Sequence, residues 1–274
     1  MTRDGDSDLG RIAAALEESA ELASTFSPSS VYVQHKGWDG PVTEADHALD
    51  ELLHKALVRP GEGWLSEETH DDGHRIGMER VWVVDPIDGT RGFLAGQAEW
   101  CVSVGLSVDG EIAAAGILNP WANETFLAER GGAATLNSDG TRVTDHEELS
   151  SDVTVLASRS EVRWGSWHRF RGASFKVRTI GSIAYKMALV AAGKADAVIS
   201  LEPKNEWDVA AGALLVEAAG GVVTDLGGRP MQFNQRDTLI DGVIAAGPTT
   251  HSAIREMMTR RPATSTNLWR PGDY

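Results

Sequence analysis

The segment Val81-Trp82-Val83-Val84-Asp85-Pro86-Ile87-Asp88-Gly89-Thr90 joins an apolar run to two carboxylates. Four apolar residues in succession predict a short buried strand, and we expect Pro86 to end its hydrogen-bond ladder. The Asp-Gly pair favours a turn that brings both carboxylates into one space. Thr90 would then begin a helix or turn whose backbone N–H groups can hold an anion. The same residues are also typical of ordinary turns, so this segment alone leaves both interpretations open.

Two further segments place carboxylates beside apolar stretches. Trp64-Leu65-Ser66-Glu67-Glu68 puts an acidic pair after an apolar pair, and Glu206-Trp207-Asp208 precedes an Ala-rich helix predicted over Val209 to Ala219. Glu67 and Glu68 could instead be a solvated loop edge, and Asp208 a plain helix N-cap. Taken together, the segments supply a set of hard oxygen ligands: Glu67, Asp85, Asp88, Asp208 and the carbonyl of Ile87. Because converging carboxylates repel one another or take up protons, the set favours two or three divalent cations, and Mg²⁺ prefers such ligands.

Composition excludes several classes of protein. The chain has 274 residues, with 25 Lys+Arg against 40 Asp+Glu and a formal net charge of −15. We find no basic tract, which argues against binding a nucleic-acid polymer or an anionic membrane through cations. A single cysteine, Cys101, excludes a disulfide framework and suits a reducing compartment. With no signal peptide and no apolar run of membrane-spanning length, we predict a soluble, cytoplasmic protein.

The hydrophobic pattern predicts an α/β protein in two halves. In residues 9–148, a helix that stops near Ser27 and a second one that starts with a capping box at Thr43 pack on a largely antiparallel sheet. Asp109-Gly110 is predicted to form a hairpin turn in this sheet. In residues 149–262, strands alternate with helices at 182–192, 209–219 and 249–260, which is an α/β rhythm. Residues 263–274 are expected to form a mobile tail.

The order and spacing of these motifs resemble the inositol monophosphatase superfamily of lithium-sensitive, magnesium-dependent phosphomonoesterases. The resemblance runs from about residue 9 to 260, and it rests on Asp46, Ser66-Glu67-Glu68, Asp85-Pro86-Ile87-Asp88-Gly89-Thr90, and Trp207-Asp208 ahead of Gly220-Gly221. It implies the layered αβαβα sugar-phosphatase fold, two or three Mg²⁺ ions and a small-molecule phosphate ester as substrate. Because members of this family typically form homodimers, the resemblance also implies a homodimer.

The resemblance also implies a role for each matching residue. Glu67, Asp85 and the Ile87 carbonyl would bind a first metal ion. Asp85, Asp88 and Asp208 would bind a second, and Glu67 would also touch a third. Asp46 and Thr90, with Glu67, would orient and deprotonate a water that attacks phosphorus without a covalent intermediate. The predicted substrate contacts are Asp88, Gly89, Thr90, Arg91, Ser182, Glu206 and Asp208.

Two residues bear on which phosphate ester is the substrate. Arg91 and Glu206 resemble the branch that hydrolyses 3′(2′),5′-bisphosphate nucleotides such as 3′-phosphoadenosine 5′-phosphate, whereas Gly92 departs from it. Arg91 could bind a second phosphate or be an ordinary surface arginine. Further candidates for the substrate rim are Arg159, Tyr185, Lys186 and Lys204. The alternatives are an inositol-1-monophosphatase, with or without activity on fructose 1,6-bisphosphate, and a catalytically inactive, metal-binding regulatory homologue.

Overall fold

The computed structural model describes residues 7–35 and 41–259. The expected mobile tail lies outside these residues. The first half contains three helices, α1 (Asp8–Ala23), α2 (Glu44–Leu57) and α3 (Thr90–Leu94). Its strands are β1 (Val33–His35), β2 (Pro41–Thr43), β3 (Gly63–Ser66), β4 (Arg80–Asp88), β5 (Cys101–Val108), β6 (Glu111–Asn119), β7 (Glu124–Glu129), β8 (Thr135–Leu136) and β9 (Asp139–Gly140).

The second half alternates strands and helices as the pattern predicted. Its strands are β10 (Thr154–Ser158), β11 (Lys176–Ile180), β12 (Ala197–Ser200), β13 (Lys204–Asn205), β14 (Val222–Thr224), β15 (Leu239–Ile240) and β16 (Val243–Ala246). Its helices are α4 (Arg159–Trp164), a 3₁₀ helix (Ser166–Phe170), α5 (Ile183–Ala191), α6 (Glu206–Ala218) and α7 (Pro248–Thr259). The domain boundary near residue 149 stays a prediction.

Two sheets organise the chain. Strands β3 to β9 form a seven-stranded sheet in chain order, in which only the β3–β4 pair is parallel. The second sheet has the order β11-β10-β12-β16-β14, with β16 antiparallel to both of its neighbours. The first sheet is therefore largely antiparallel, as predicted, and the second is mixed.

Hydrophobic packing stacks these elements in five layers. One face of β4 presents Trp82 and Val84 to α1 and α2, and the other presents Val81 and Val83 to α5 and α6. The far side of α5 and α6 packs on the second sheet, whose outer face is covered by α7 and the 3₁₀ helix. The predicted layered αβαβα fold is confirmed. None of the helices described is long and apolar enough to cross a bilayer.

Local signals set most element ends. Thr43 caps α2 through the predicted capping box, since its hydroxyl accepts a hydrogen bond from the Asp46 backbone N–H. The predicted turn at Asp109-Gly110 joins β5 to β6, and both of its residues have positive φ. Two expectations were wrong: α1 ends at Ala23, four residues early, and α6 begins at Glu206, three residues early.

Candidate metal centre and active site

An irregularity in β4 aims Asp85 and Asp88 at the same space. Side chains three residues apart face opposite sides of a regular strand. Here Asp85 pairs with Ser103 and Asp88 pairs with Cys101, so β4 contains one residue more than β5 over this stretch. The bulge turns both carboxylates toward α5 and α6. Pro86 lies within it, where its missing N–H is tolerated, so it does not end the strand as expected.

Three carboxylates from distant parts of the chain converge beside this bulge. Glu67 follows β3, Asp85 lies in β4 and Asp208 lies in the first turn of α6, and each offers an oxygen within 4.8 Å of the others. Asp88 stands next to them, where its Oδ2 accepts hydrogen bonds from Ser182 Oγ and the Ala184 backbone N–H, both at 2.6 Å. The structure thus brings the four predicted carboxylate ligands together.

Burial and mutual repulsion make this cluster electrostatically unfavourable by itself. Burial, and then the charge of Asp208, raise the pKa of Glu67 to about 8. Burial and Asp88 raise the pKa of Asp208 to about 7, and burial holds the pKa of Asp85 well above its ordinary value. Among the described residues, the buried Oδ2 of Asp85 has no hydrogen-bond partner. An unpartnered oxygen in a ring of acids fits a bound cation, which would provide a partner and cancel the repulsion.

Asp46 lies at the edge of this cluster and uses its two oxygens differently. Its Oδ2 accepts hydrogen bonds from the Thr43 backbone N–H at 2.8 Å and from the Thr43 hydroxyl at 2.5 Å. Its Oδ1 lies 3.4 Å from the hydroxyl of Thr90, which also lies 3.1 Å from the Ile87 carbonyl oxygen. Burial raises the pKa of Asp46 to about 6, and the charge of Glu68 adds to this effect. Asp46 and Thr90 are therefore placed to share a proton.

Gly89 connects the bulge to Thr90 and cannot be replaced without strain. Its φ is +99°, and a Cβ atom there would lie 3.0 Å from the Glu99 carbonyl oxygen and 3.3 Å from Ser182 Cβ. Both its conformation and its close neighbours therefore require glycine. The tight connection starts α3 at Thr90 and leaves the side chain of Arg91 exposed at the mouth of the site.

Known proteins are similar to this chain along most of its length. A model of the inositol monophosphatase family matches residues 8–261. The chain belongs to the inositol monophosphatase family. An inositol-1-monophosphatase of Rhizobium meliloti is 31% identical over 261 residues, which cover 91% of this chain and 94% of that protein. A fructose-1,6-bisphosphatase/inositol-1-monophosphatase of Thermotoga maritima is 31% identical, over 76% of this chain and 80% of the relative.

Solved structures of this family share the fold. The extragenic suppressor protein suhB of Bartonella henselae superimposes with a TM-score of 0.80 at 27% identity, over 91% of this chain and 97% of that one. Membership makes the chain a relative of phosphomonoester hydrolases, and the acidic cluster agrees with the magnesium dependence of the family. The predicted family and fold are thus confirmed.

Two predicted substrate contacts, Ser182 and Glu206, do not face open space beside the cluster. The side chain of Ser182 is fully buried, so it contacts Asp88 rather than open space. Glu206 is turned away, and its carboxylate accepts the backbone N–H groups of Asn234 and Gln235 at 2.6 and 2.7 Å. In this structure its carboxylate therefore holds a loop.

The further candidates for the substrate rim lie in different surroundings. Lys186 is fully buried and donates to Ser158 Oγ at 2.6 Å, and Tyr185 is buried with its hydroxyl bonded to Glu124. Neither lies on a rim, and Tyr185 has no free face for a base. Lys204 is half-buried and donates to the carbonyl oxygens of Glu202 and Pro203. Arg159 does line the open cavity beside Thr90.

The sequence did not predict the roles of two charged residues near the site, Glu68 and Arg163. Glu68 raises the pKa of both Asp46 and Glu67. Its position directly after Glu67 could have indicated this influence. The charge of Glu68 acts strongly on both groups because its side chain is buried. Arg163 lines the same cavity as Arg159, and their i, i+4 spacing in one short helix could have indicated a shared face.

Proposed function

We propose that the protein is a Mg²⁺-dependent phosphomonoesterase in which water attacks phosphorus directly. The observation that carries the proposal is the unpartnered Oδ2 of Asp85 within the ring formed with Glu67 and Asp208. These residues, with Asp88 and the Ile87 carbonyl, would hold the ions. Bound Mg²⁺ would supply positive charge for the phosphate oxygens and the leaving alkoxide.

The chain's own groups would handle the proton and the orientation of the ester. Thr90 can accept a hydrogen bond from the attacking water while its hydroxyl donates to Oδ1 of Asp46, the buried base. The proton of the water passes through this pair to Asp46 as the new phosphorus–oxygen bond forms and the bond to the alcohol oxygen breaks. The leaving alkoxide takes up a proton from solvent or from Asp46. The products are the free alcohol and inorganic phosphate. The backbone N–H groups of Gly89 and Thr90 are the donors that we assign to the phosphate oxygens.

The Asp46–Thr90 pair also argues against an inactive regulatory homologue. A protein that only binds metal needs the acidic ring, but it has no use for a buried base placed 3.4 Å from a threonine hydroxyl. Phosphate release tests this choice. We expect turnover of at least one small phosphomonoester with Mg²⁺, and loss of turnover with EDTA or in Asp88→Asn. Complete inactivity on every ester tried would contradict the proposal.

For the substrate we propose 3′-phosphoadenosine 5′-phosphate, with inositol 1-phosphate as the second candidate. Arg91 supports the bisphosphate, because its exposed guanidinium has no side-chain partner among the described residues. Glu206 no longer supports it. The name of the Rhizobium meliloti relative supports inositol 1-phosphate, and that of the Thermotoga maritima relative includes a sugar bisphosphate. Comparing kcat/KM for the adenosine bisphosphate, inositol 1-phosphate and fructose 1,6-bisphosphate decides among them.

A further inference from the structure

The acidic cluster combines segments that are far apart in the chain. Glu67 directly follows β3, whereas Asp208 lies in the first turn of α6. Their oxygens nevertheless lie within 4.8 Å of each other and of an Asp85 oxygen. Like charges at this spacing repel, so contacts elsewhere must hold the two segments together. A cation that binds both ligands depends on that spacing, because Mg²⁺ requires its oxygen ligands at about 2.0–2.1 Å.

A buried arginine anchors the loop that follows Glu67. Arg75 lies between β3 and β4 and is only 2% exposed. Its Nε and Nη2 donate to Asp71 Oδ2 at 3.1 and 2.8 Å, which closes the loop on itself. Its Nη1 donates to Asn234 Oδ1 at 2.8 Å, and its Nη2 also donates to the Gln235 carbonyl oxygen at 2.9 Å. Every nitrogen of the guanidinium group therefore has an acceptor, and two of these acceptors lie in the segment ahead of β15.

The segment that accepts these bonds is itself held at the start of α6. The backbone N–H groups of Asn234 and Gln235 donate to the two carboxylate oxygens of Glu206 at 2.6 and 2.7 Å. Glu206 is buried and is the first residue of α6, two positions before Asp208. Arg75 and Glu206 therefore bind the same two residues, one from the loop after β3 and the other from the helix that carries Asp208.

Asn234 has a backbone conformation that suits this connection. Its φ is +57°, in the left-handed region that asparagine adopts more readily than most other residues. Besides accepting from Arg75, its side chain donates to the carbonyl oxygens of Arg75 and Met78 at 3.3 and 3.4 Å. The amide of Asn234 thus binds both the side chain and the backbone of the loop, so the two segments are joined by several bonds that act together.

We propose that Arg75 is a positioning residue that holds Glu67 and Asp208 at the spacing that a shared cation requires. This inference rests on the proposed phosphomonoesterase function and adds to it a residue outside the acidic cluster. Arg75 acts through Asn234 and Glu206, which connect the loop after β3 to the first turn of α6. Residues that orient metal ligands without binding the metal commonly change metal affinity by about 10- to 100-fold when they are replaced.

Binding of Mg²⁺ to Arg75→Met tests the proposal. Methionine keeps an unbranched apolar side chain and loses every hydrogen bond of the guanidinium group. We expect the Kd for Mg²⁺, measured by calorimetry on the metal-free protein, to rise about tenfold. The Mg²⁺ concentration for half-maximal phosphate release should rise by a similar factor, while kcat at saturating Mg²⁺ stays within about threefold because the ligands themselves are unchanged. An unchanged Kd for Mg²⁺ would overturn the proposal.

Asn234→Gly interrupts the same connection more gently. Glycine adopts a positive φ without strain, and the substitution removes the acceptor for Arg75 Nη1. It should also weaken Mg²⁺ binding, and the double variant should bind Mg²⁺ no more weakly than Arg75→Met alone, because both changes break one connection. Additive losses would show two separate effects and contradict the proposal. If Arg75→Met does not fold, a wild-type Kd for Mg²⁺ in Asn234→Gly is sufficient to overturn it.

Arg130→Met is the matched control. Arg130 likewise donates to a backbone oxygen, that of Ile112, and forms an ion pair with Glu111, but it follows β7 and belongs to neither connected segment. Its loss should lower the melting temperature in EDTA and leave the Kd for Mg²⁺ unchanged. An equal rise of that Kd in Arg130→Met would mean that lost stability explains the effect. A wild type that does not bind Mg²⁺ would contradict the proposed function as well, whereas normal wild-type binding with unchanged variants would contradict only the role of Arg75.

Discussion

Asp46 and Asp208 occupy equivalent places in two unrelated helices. Each is the third residue of its helix, and each accepts the backbone N–H of the N-cap residue at 2.8 Å, from Thr43 in α2 and from Asn205 in α6. One oxygen of each carboxylate thus fixes the start of a helix, and the other is left for chemistry. The capping contact orients the second oxygen, which we propose acts in proton transfer in Asp46 and in metal binding in Asp208, because a side chain held at one oxygen cannot rotate freely.

This dual role separates stability from activity in Asp208→Asn. The amide oxygen still accepts the Asn205 N–H, while the loss of a charge relieves repulsion in the cluster. We expect the melting temperature in EDTA to rise and kcat with Mg²⁺ to fall by about two orders of magnitude or more. Asp208→Ala, which removes the cap acceptor as well, is the control and should melt below Asp208→Asn. A melting temperature below that of the wild type in Asp208→Asn would contradict this explanation.

Thr90→Val tests the proton path between Thr90 and Asp46. Valine preserves the shape of the side chain but removes the hydroxyl that lies 3.4 Å from Asp46 Oδ1. We expect kcat to fall about 100-fold with little change in melting temperature, whereas Thr90→Ser, which retains a hydroxyl, should keep most of the activity. Steady-state phosphate release on all three proteins gives the answer. Equal activity of the valine and serine variants would exclude Thr90 from the reaction.

Ser182→Ala tests a contact that positions Asp88, a proposed metal ligand. Ser182 caps α5 by accepting the Tyr185 N–H, and it donates to Asp88 Oδ2. Removing the hydroxyl should destabilise the fold by about 1 kcal/mol and lower kcat/KM about tenfold, with a higher Mg²⁺ requirement. Ser7→Ala removes a comparable cap from α1, far from the cluster, as a control. It should share part of the loss of stability and none of the loss of activity.

Glu68→Gln should move the acidic side of the pH–rate profile to lower pH. The negative charge of Glu68 raises the pKa of Asp46 and of Glu67, so neutralising it lowers both. The base must be ionised to accept a proton, and the variant therefore keeps its activity at a lower pH than the wild type. Profiles of kcat/KM measured between pH 5 and about 8 at saturating Mg²⁺ test this. A shift toward higher pH would contradict the assigned electrostatics.

Metal removal should make stability fall as pH rises. The folded-state pKa values of about 8 for Glu67 and about 7 for Asp208 lie above their unfolded values near 4. Between these limits the folded protein binds more protons than the unfolded chain, so the stabilising contribution of protonation is lost as pH rises toward 8.

Thermal melts in EDTA at several pH values, with and without Mg²⁺, check this linkage. Mg²⁺ binds the ionised carboxylates, so the rise in melting temperature that it causes should grow with pH. Asp208→Asn has one carboxylate fewer and should depend on pH less steeply in EDTA. A Mg²⁺ effect that shrinks with increasing pH would argue against the cluster as the metal site.

Local patterns in the sequence were sufficient for much of the fold. The capping box at Thr43, the Asp109-Gly110 turn and the alternation of strands with helices after residue 150 each depend on neighbours within a few positions. The carboxylates that the structure brings together were also picked out from the sequence, because they lie beside apolar segments and their spacing resembles that of the family. Their role as metal ligands stays a prediction. Where a signal was equally local but ambiguous, as at Pro86, the prediction was wrong.

Only the tertiary structure decided which side chains face one another and which are buried. In the folded protein Glu206 faces a loop, and Lys186 and Tyr185 are buried in the core. The sequence had suggested all three as substrate contacts. The tertiary structure also brought Arg91 beside α4, across 68 residues of chain from Arg159. A sequence determines the chemistry available and its local geometry, but burial and long-range electrostatics arise from packing between distant segments. The β4 bulge is a local feature with a long-range effect. It adds one residue to the strand and so reverses the direction of every side chain that follows, which decides what those side chains face.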